Sequence, residues 1–527
     1  MNNINQWGGG SPAEQKGLTN VKNSLRDEII EKEGTAFPSK TYTSMVLEPA
    51  YNEAKQQLLD SMIEIHNSHL IMLVEQGLVE KEEAKKIAKA VSNLNQDEIQ
   101  KRSYTGQFED LFFEVEHSLI EDAGDIAGNL HIARSRNDMG IAIYRMTLRK
   151  KLLPLVEKAL KLREALIELT NEHKETIMIG YTHTQQAQPT TLAHYLNAMT
   201  DMLTRDIKRL QAAYNTVNRS SMGAAALTTS GFAISRERMK DLLGFEDMID
   251  NAWDAVAGAD YIAETATAVQ LAALNLGRSM QDFLLWGTQE YGAFLLSAPY
   301  VQISSIMPQK RNPVSIEHMR ALLSSVAGDC QTVLLMVHNT PFGDIVDTED
   351  DMQPYIWKAI ERLGGIYELL TSVLLTMEVN KETLLKRAKE SFANVTELAD
   401  TIVRKDGLSF RQAHHVVSST VKELVKNGKT SLESLTLELL NEQSKKIVGN
   451  ESVLTEEELK LVLSPEYFVQ IRDLEGGPSP SRMEKTINAR LTEQQDLKGW
   501  LLDRQEHLTK SAANVSNIIT EWTGENE

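Results

Sequence analysis

Ile141-Ala142-Ile143-Tyr144-Arg145-Met146-Thr147-Leu148-Arg149-Lys150, with the residues that follow it to His173, reads as one long helix. Four more stretches of the same kind follow, at 192–217, 260–292, 315–336 and 351–377. Five helices of roughly 25–30 residues make a bundle about 40 Å long at 1.5 Å per residue. Their heptad regularity is too loose for a simple coiled coil. Composition points the same way. Aromatic residues are only 6% of the chain, while Ala, Leu, Glu, Lys and Met are plentiful, which favours helix over sheet.

Outward from this bundle the pattern weakens on both sides. The first forty or so residues are polar and poorly periodic, and Gly8-Gly9-Gly10-Ser11-Pro12 reads as a loop. Ordered helix is expected from near Glu48, with helices at 51–76 and 80–95 broken at Gly77, and another at 108–123. Ala54, Leu58, Met62 and Ile65 recur at spacings of three and four. After Asn380 the helices shorten and charge rises, and Pro465 and Gly476-Gly477-Pro478 break the chain. The expectation is an all-α protein of three helical domains around a central long-helix bundle, at 1–134, 135–384 and 385–527.

The chain has 527 residues, a formal charge of −19, 42% hydrophobic and 24% charged residues. That balance is ordinary for a soluble globular protein and argues against nucleic acid as the main partner. No run of about 18 apolar residues is evident and the start lacks a leader pattern, so no membrane span is expected. The lone cysteine, Cys330, excludes an intrachain disulfide and fits a reducing cytoplasm. In so acidic a chain an anionic substrate needs local cations. Residues 126–137 contain no acid but hold His131, Arg134 and Arg136, and around 304–320 Lys310, Arg311 and Arg320 face only Glu317.

Four polar segments sit where a plain bundle would not need them. They are His131-Ile132-Ala133-Arg134-Ser135-Arg136-Asn137-Asp138, Tyr181-Thr182-His183-Thr184-Gln185-Gln186-Ala187-Gln188-Pro189, Ser221 to Leu227 followed by Arg236, and Ser304-Ser305-Ile306-Met307-Pro308-Gln309-Lys310-Arg311-Asn312-Pro313. Each has a plain structural alternative. The first could be a turn with Asn137 or Asp138 as helix N-cap, the second a hinge before Pro189, the third a close approach of helices, the fourth an ordinary helix entry.

Three of these segments resemble the signature regions of the fumarase/aspartase superfamily. Arg134-Ser135-Arg136-Asn137-Asp138 is similar to argininosuccinate lyases in particular, as are Trp7-Gly8-Gly9 and Asn251-Ala252-Trp253-Asp254-Ala255-Val256. The resemblance implies three helical domains with a central bundle, a homotetramer whose sites each draw on three subunits, and cleavage of a succinyl compound to fumarate and an amine or water. It makes Ser304 the base, activated by Lys310, His183 the acid or its relay, and Glu317 the carboxylate that orients that histidine. Ser135, Arg136, Asn137, Thr182, Arg236 and Asn312 become contacts to a small dicarboxylate substrate. It calls for no cofactor, and the His and Glu spacings suggest no metal.

This sequence departs from the family's pattern at several points. Ile303 and Ala133 stand where glycine is usual, and Ala224-Ala225 where Ser-Gly is common. The segment 342–352 carries Asp344, Glu349 and Met352 in place of a tyrosine, a glutamine and a lysine that grip the substrate. The expected function is a carbon–nitrogen lyase that eliminates fumarate from an N-succinyl amine such as argininosuccinate. The alternatives are a related lyase for another N-succinyl or aminopolycarboxylate substrate, and a non-catalytic helical scaffold.

Overall fold

A computed structural model describes residues 24–524. The Trp7-Gly8-Gly9 match therefore lies outside the described residues. Five helices form the bundle: α1 (Arg136–Glu172), α2 (Leu192–Val217), α3 (Asp260–Trp286), α4 (Val314–Val337) and α5 (Gln353–Thr376). Each agrees with the expected span to within about six residues. They pack side by side, and their inward faces join one large core that takes in Leu152, Val156, Leu196, Ile207, Val269, Leu323, Ile360 and Tyr367. A core of this breadth is what removes so much apolar side chain from water.

Between α1 and α2 the chain makes an antiparallel hairpin, β1 (Ile177–Thr182) with β2 (Gln185–Thr191), which helix periodicity does not reveal. Its inner residues Ile177, Met178 and Ile179 are buried. A shorter hairpin pairs β3 (Gln302–Ile303) with β4 (Arg311–Asn312) and carries the loop 304–310 at its tip.

Before the bundle, helix begins earlier than expected, at Leu25–Glu33, a helix with no buried residue. The stretch 51–76 is two helices, Glu48–Gln57 and Leu59–Glu75. After the bundle, a compact second core of Leu398, Ile402, Val416, Leu440 and Leu459 gathers the short helices. The chain then returns to the bundle. Helix α6, Pro480–Thr523, is 44 residues long and lies against α1, burying Leu497, Leu501, Ile519 and Trp522 in the large core. Residues 385–524 thus contribute to the large core as well as to a core of their own. The join is polar as well: Arg163 of α1, fully buried, donates to Thr204 Oγ1 at 2.8 Å, Gln494 Oε1 at 2.7 Å and Glu493 Oε2 at 2.8 Å.

Among the described residues one helix, α4, is long and apolar enough to cross a membrane by length and composition, although no such run was evident from the sequence. Only 22% of its apolar window is buried, and Leu322 and Leu335 are exposed. The neighbouring α3 likewise exposes Leu271, Leu274 and Leu285.

Candidate active site

The segment 133–138 turns the chain into α1. Ala133 holds φ at 55°, in the left-handed region that glycine enters without steric cost. Arg134 then points inward, buried, and donates to His66 Nδ1 at 3.1 Å. Burial holds its guanidinium down, to about 10. The N-cap is Ser135, not Asn137 or Asp138. Its Oγ accepts the Asn137 N–H at 3.3 Å, while Asp138, three residues on, takes the Ser135 N–H at 3.0 Å. That reciprocal pair fixes the helix start at Ser135.

Asp138 is wholly buried and reaches further. Its Oδ2 accepts the N–H groups of Gly223 at 2.9 Å and Ala225 at 3.0 Å, and Ser221 Oγ donates to its backbone carbonyl at 2.7 Å. Burial pushes its carboxyl up to about 6, against the pull of those N–H bonds and of Arg134. The turn it holds contains Gly223 at φ 81° and Ala225 at φ 52°. A Cβ on Gly223 would come within 2.6 Å of Arg236 Cγ. Arg236 packs there because its guanidinium donates to the carbonyls of Met222 at 3.1 Å, Asp250 at 3.1 Å and Ile249 at 2.8 Å. Those three bonds occupy all three of its nitrogens.

Arg136 and Asn137 face a cavity of about 320 Å³. Arg136 is exposed at the cavity's edge, stacked 4.7 Å over Phe113, and donates to Asp110 Oδ2 at 2.7 Å with Glu109 at 3.6 Å. Asn137 Nδ2 donates to Ala226 O at 3.4 Å. The opposite wall is the segment in which this chain departs from the family's pattern. Asp344, Glu349, Asp350 and Asp351 line it, so with Glu109 and Asp110 six carboxyl groups line the cavity that Arg136 faces. Burial and the adjoining carboxyl of Asp344 push Glu349 up to about 8. Met352 is fully buried at the start of α5 and does not line this cavity.

The other expected residues lie beyond the opposite end of α1. Thr182 ends β1, and His183 and Thr184 form the two-residue turn, with φ of 53° and 63°. Two positive φ values match the twist of a tight hairpin, and they leave the His183 ring exposed at its tip. Ser304 opens the loop of the β3–β4 hairpin. Its Oγ accepts the backbone N–H of Met307 at 3.0 Å and of Ile306 at 3.3 Å. Lys310 is exposed, Asn312 half-buried, and Glu317 exposed on the first turn of α4. A recess of about 640 Å³ adjoins the loop at Gln309 and Arg311.

Helix geometry separates these groups. From Arg136 to Glu172 is 37 residues, about 55 Å along the axis, and β1 follows at the far end. From Asn312, α4 runs back about 36 Å toward the 344–351 wall. Within one chain, Ser135, Arg136 and Asn137 share an end with Arg236, Asp344 and Glu349, while Thr182, His183, Ser304, Lys310 and Asn312 lie at the other. Among the described residues no hydrogen bond or ion pair joins His183 to Glu317. One residue of this region escaped the sequence reading, and another entered it only as a motif member and N-cap candidate. Asp110 is the N-cap of Leu111–Ala123, and Asp138 closes a Ser-x-x-Asp capping pattern that was available as a signal.

Known proteins resemble this chain in sequence and in fold. Residues 51–328 match the family described as lyase, and residues 392–470 the family described as argininosuccinate lyase C-terminal. The chain is 38% identical over 496 residues to argininosuccinate lyase 2 of Agrobacterium fabrum, covering 94% of this chain and 98% of that one. Against argininosuccinate lyase of Methanocaldococcus jannaschii it is 36% identical, covering 80% and 85%. Among solved structures, EDDS lyase in complex with formate superposes with a TM-score of 0.84 at 28% identity, covering 94% of this chain and 98% of that one. A fumarate lyase from Mesorhizobium sp., at 18% identity and a TM-score of 0.67, covers 82% and 95% and shares the fold. With both the lyase segment and the C-terminal segment matched, and more than a third of residues identical along nearly the whole chain, this protein belongs to the argininosuccinate lyase family.

Proposed function

We propose that this protein eliminates fumarate from an N-succinyl amine, with argininosuccinate as the default substrate and the working site assembled from several copies of the chain. Ser304 takes the proton from the carbon beside one carboxylate. The electron pair of that C–H bond becomes the new C=C bond of fumarate, and the C–N bond breaks with its pair going to nitrogen. His183 protonates or relays a proton to that nitrogen, oriented by Glu317 across a contact between copies. Lys310 and Asn312 hold the carboxylate on which charge develops, and Ser135, Arg136, Asn137 and Thr182 hold the rest of the succinyl group.

The observation that carries this reading is the setting of Ser304. A serine is a weak base until its alkoxide is stabilised, and two backbone N–H groups already aim at its Oγ, with Lys310 six residues on. Assembly from copies is supported by the roughly 55 Å of helix between Arg136 and the His183 hairpin. It is also supported by the apolar outer faces of α3 and α4, which a second copy would cover. A homotetramer, the family's usual state, gives each site the two ends it needs. We place the protein in the cytoplasm, where its one thiol stays reduced.

A second reading has its own observation. Asp344 and Glu349 line the Arg136 cavity, so the amine half of the substrate meets carboxyl groups there. That favours an N-succinyl amine with extra positive charge over one bearing a further carboxylate. The test is fumarate release, followed by its ultraviolet absorbance, from argininosuccinate and a panel of N-succinyl diamines and amino acids. Absence of fumarate from every member would overturn the lyase reading. A clear preference for argininosuccinate, with kcat/KM at or above about 10⁴ M⁻¹s⁻¹, would overturn the second.

A further inference from the structure

We propose that Asp138 is the positioning residue of the substrate-carboxylate segment, locking Ser135, Arg136 and Asn137 to the 221–226 turn through an ionised carboxylate. The proposal rests on the assignment of those three residues to substrate binding. The geometry leaves Asp138 out of reach of any ligand, since it is wholly buried. Its oxygens are shared between two elements. Oδ1 takes the Ser135 N–H of the helix cap, and Oδ2 takes the Gly223 and Ala225 N–H groups of the turn. Two further bonds follow the same seam: Ser221 Oγ to Asp138 O, and Asn137 Nδ2 to Ala226 O.

The three N–H bonds fill three of the carboxylate's roughly four lone-pair sites, so a proton on the last one removes the charge and turns three charge-assisted bonds into weaker neutral ones. The lock is therefore strong only in the charged state. The charged groups facing it are Arg134, from its own segment, and Arg236, from beyond the turn; the turn itself offers only backbone N–H groups. Buried as it is, the carboxyl titrates near 6, within reach of working conditions. Loss of the lock lets the cap and the turn separate, and displacement of binding groups by an ångström can cost about 10²-fold in rate.

The sign distinguishes this group from the acid His183. A catalytic acid loses activity as pH rises, whereas the Asp138 lock loses it as pH falls through about 6. The test is Asp138→Asn, whose amide must aim an NH₂ at donors. Fumarate affinity and kcat/KM should fall by about 10-fold or more, as for a lost hydrogen bond to a charged group. The thermal midpoint should stay near that of the wild type, and the acid limb of the kcat/KM profile should flatten. Unchanged fumarate binding, or an acid limb retained by the variant, overturns the proposal.

If the variant does not fold, calorimetry of fumarate binding to the wild type near pH 6, in buffers of different ionisation enthalpy, decides. Binding coupled to ionised Asp138 releases protons; no release, or net uptake, overturns it. Arg136→Ala separates the two levels. If it leaves fumarate binding unchanged, the binding assignment is wrong; if it weakens binding while Asp138→Asn does not, only the positioning role fails.

Discussion

At the scale of single residues, charge and donors decide what each group can do. Ser304→Ala removes the oxygen on which two N–H groups converge while leaving the loop's β3–β4 frame in place. Its kcat should drop by at least about 10²-fold with fumarate binding nearly unchanged, read by absorbance and calorimetry. Asp138 gives a stability prediction of definite sign. Its folded pKa is raised to about 6, so the folded state binds more protons than the unfolded state between about 4 and 6. Stability therefore rises as pH falls through 6, and is lost as pH climbs back above it. Relative to the uncharged Asp138→Asn variant, the wild type should gain roughly 1 kcal/mol between pH 7 and pH 5 in denaturant titrations. The residue types needed for acid, base and carboxylate binding were legible in sequence because they cluster in short segments. The partners that set their state were not. Asp110, 26 residues before Arg136, reaches it only through the packing of a separate helix.

At the scale of elements, two alanines keep a backbone better suited to glycine. Ala133 and Ala225 stand where the family's pattern has glycine, and both hold φ near 50–55°. A left-handed residue with a Cβ costs about 1–2 kcal/mol, part of which glycine returns as unfolded-state entropy. Ala133→Gly and Ala225→Gly should each raise stability by roughly 0.5–1 kcal/mol in denaturant titrations. Gly223→Ala should do the reverse, since its Cβ meets Arg236 Cγ at 2.6 Å at a φ of 81°. The 344–351 wall makes a prediction about charge. Glu349, pushed up to about 8, becomes fully ionised only above that pH. Turnover of N-succinyl amines with a cationic amine half should improve as pH rises through 8. Glu349→Gln should remove that rise and lower kcat/KM for them by about tenfold. The long helices were legible because their apolar faces recur over many turns. The Ile177–Thr191 hairpin was not, since its strands are six and seven residues long and much of their surface is polar and exposed. Helix α6 was missed because its buried positions are widely spread along 44 residues.

At the scale of the whole molecule, separation along the bundle predicts complementation. If each site takes Arg136 from one copy and His183 from another, Arg136→Ala and His183→Ala enzymes should each be inactive. Unfolded together and refolded as a mixture, they should regain measurable fumarate release, because some sites then receive neither substitution. Recovery no greater than the sum of the two alone would show that one chain supplies both groups. The returning helix α6 bears on how the protein is made. It lies against α1, and Arg163 waits on Gln494 and Glu493 for its partners. Ribosomes add about 5–20 residues per second, so the 308 residues from Glu172 to Pro480 take roughly 15–60 s to synthesise. For that interval the nascent bundle carries an uncovered apolar flank and an unpaired interior cation. The last tenth of the message thus governs whether the first third of the product escapes aggregation, and a ribosome that stalls near residue 480 leaves a chain for chaperones and proteases to deal with.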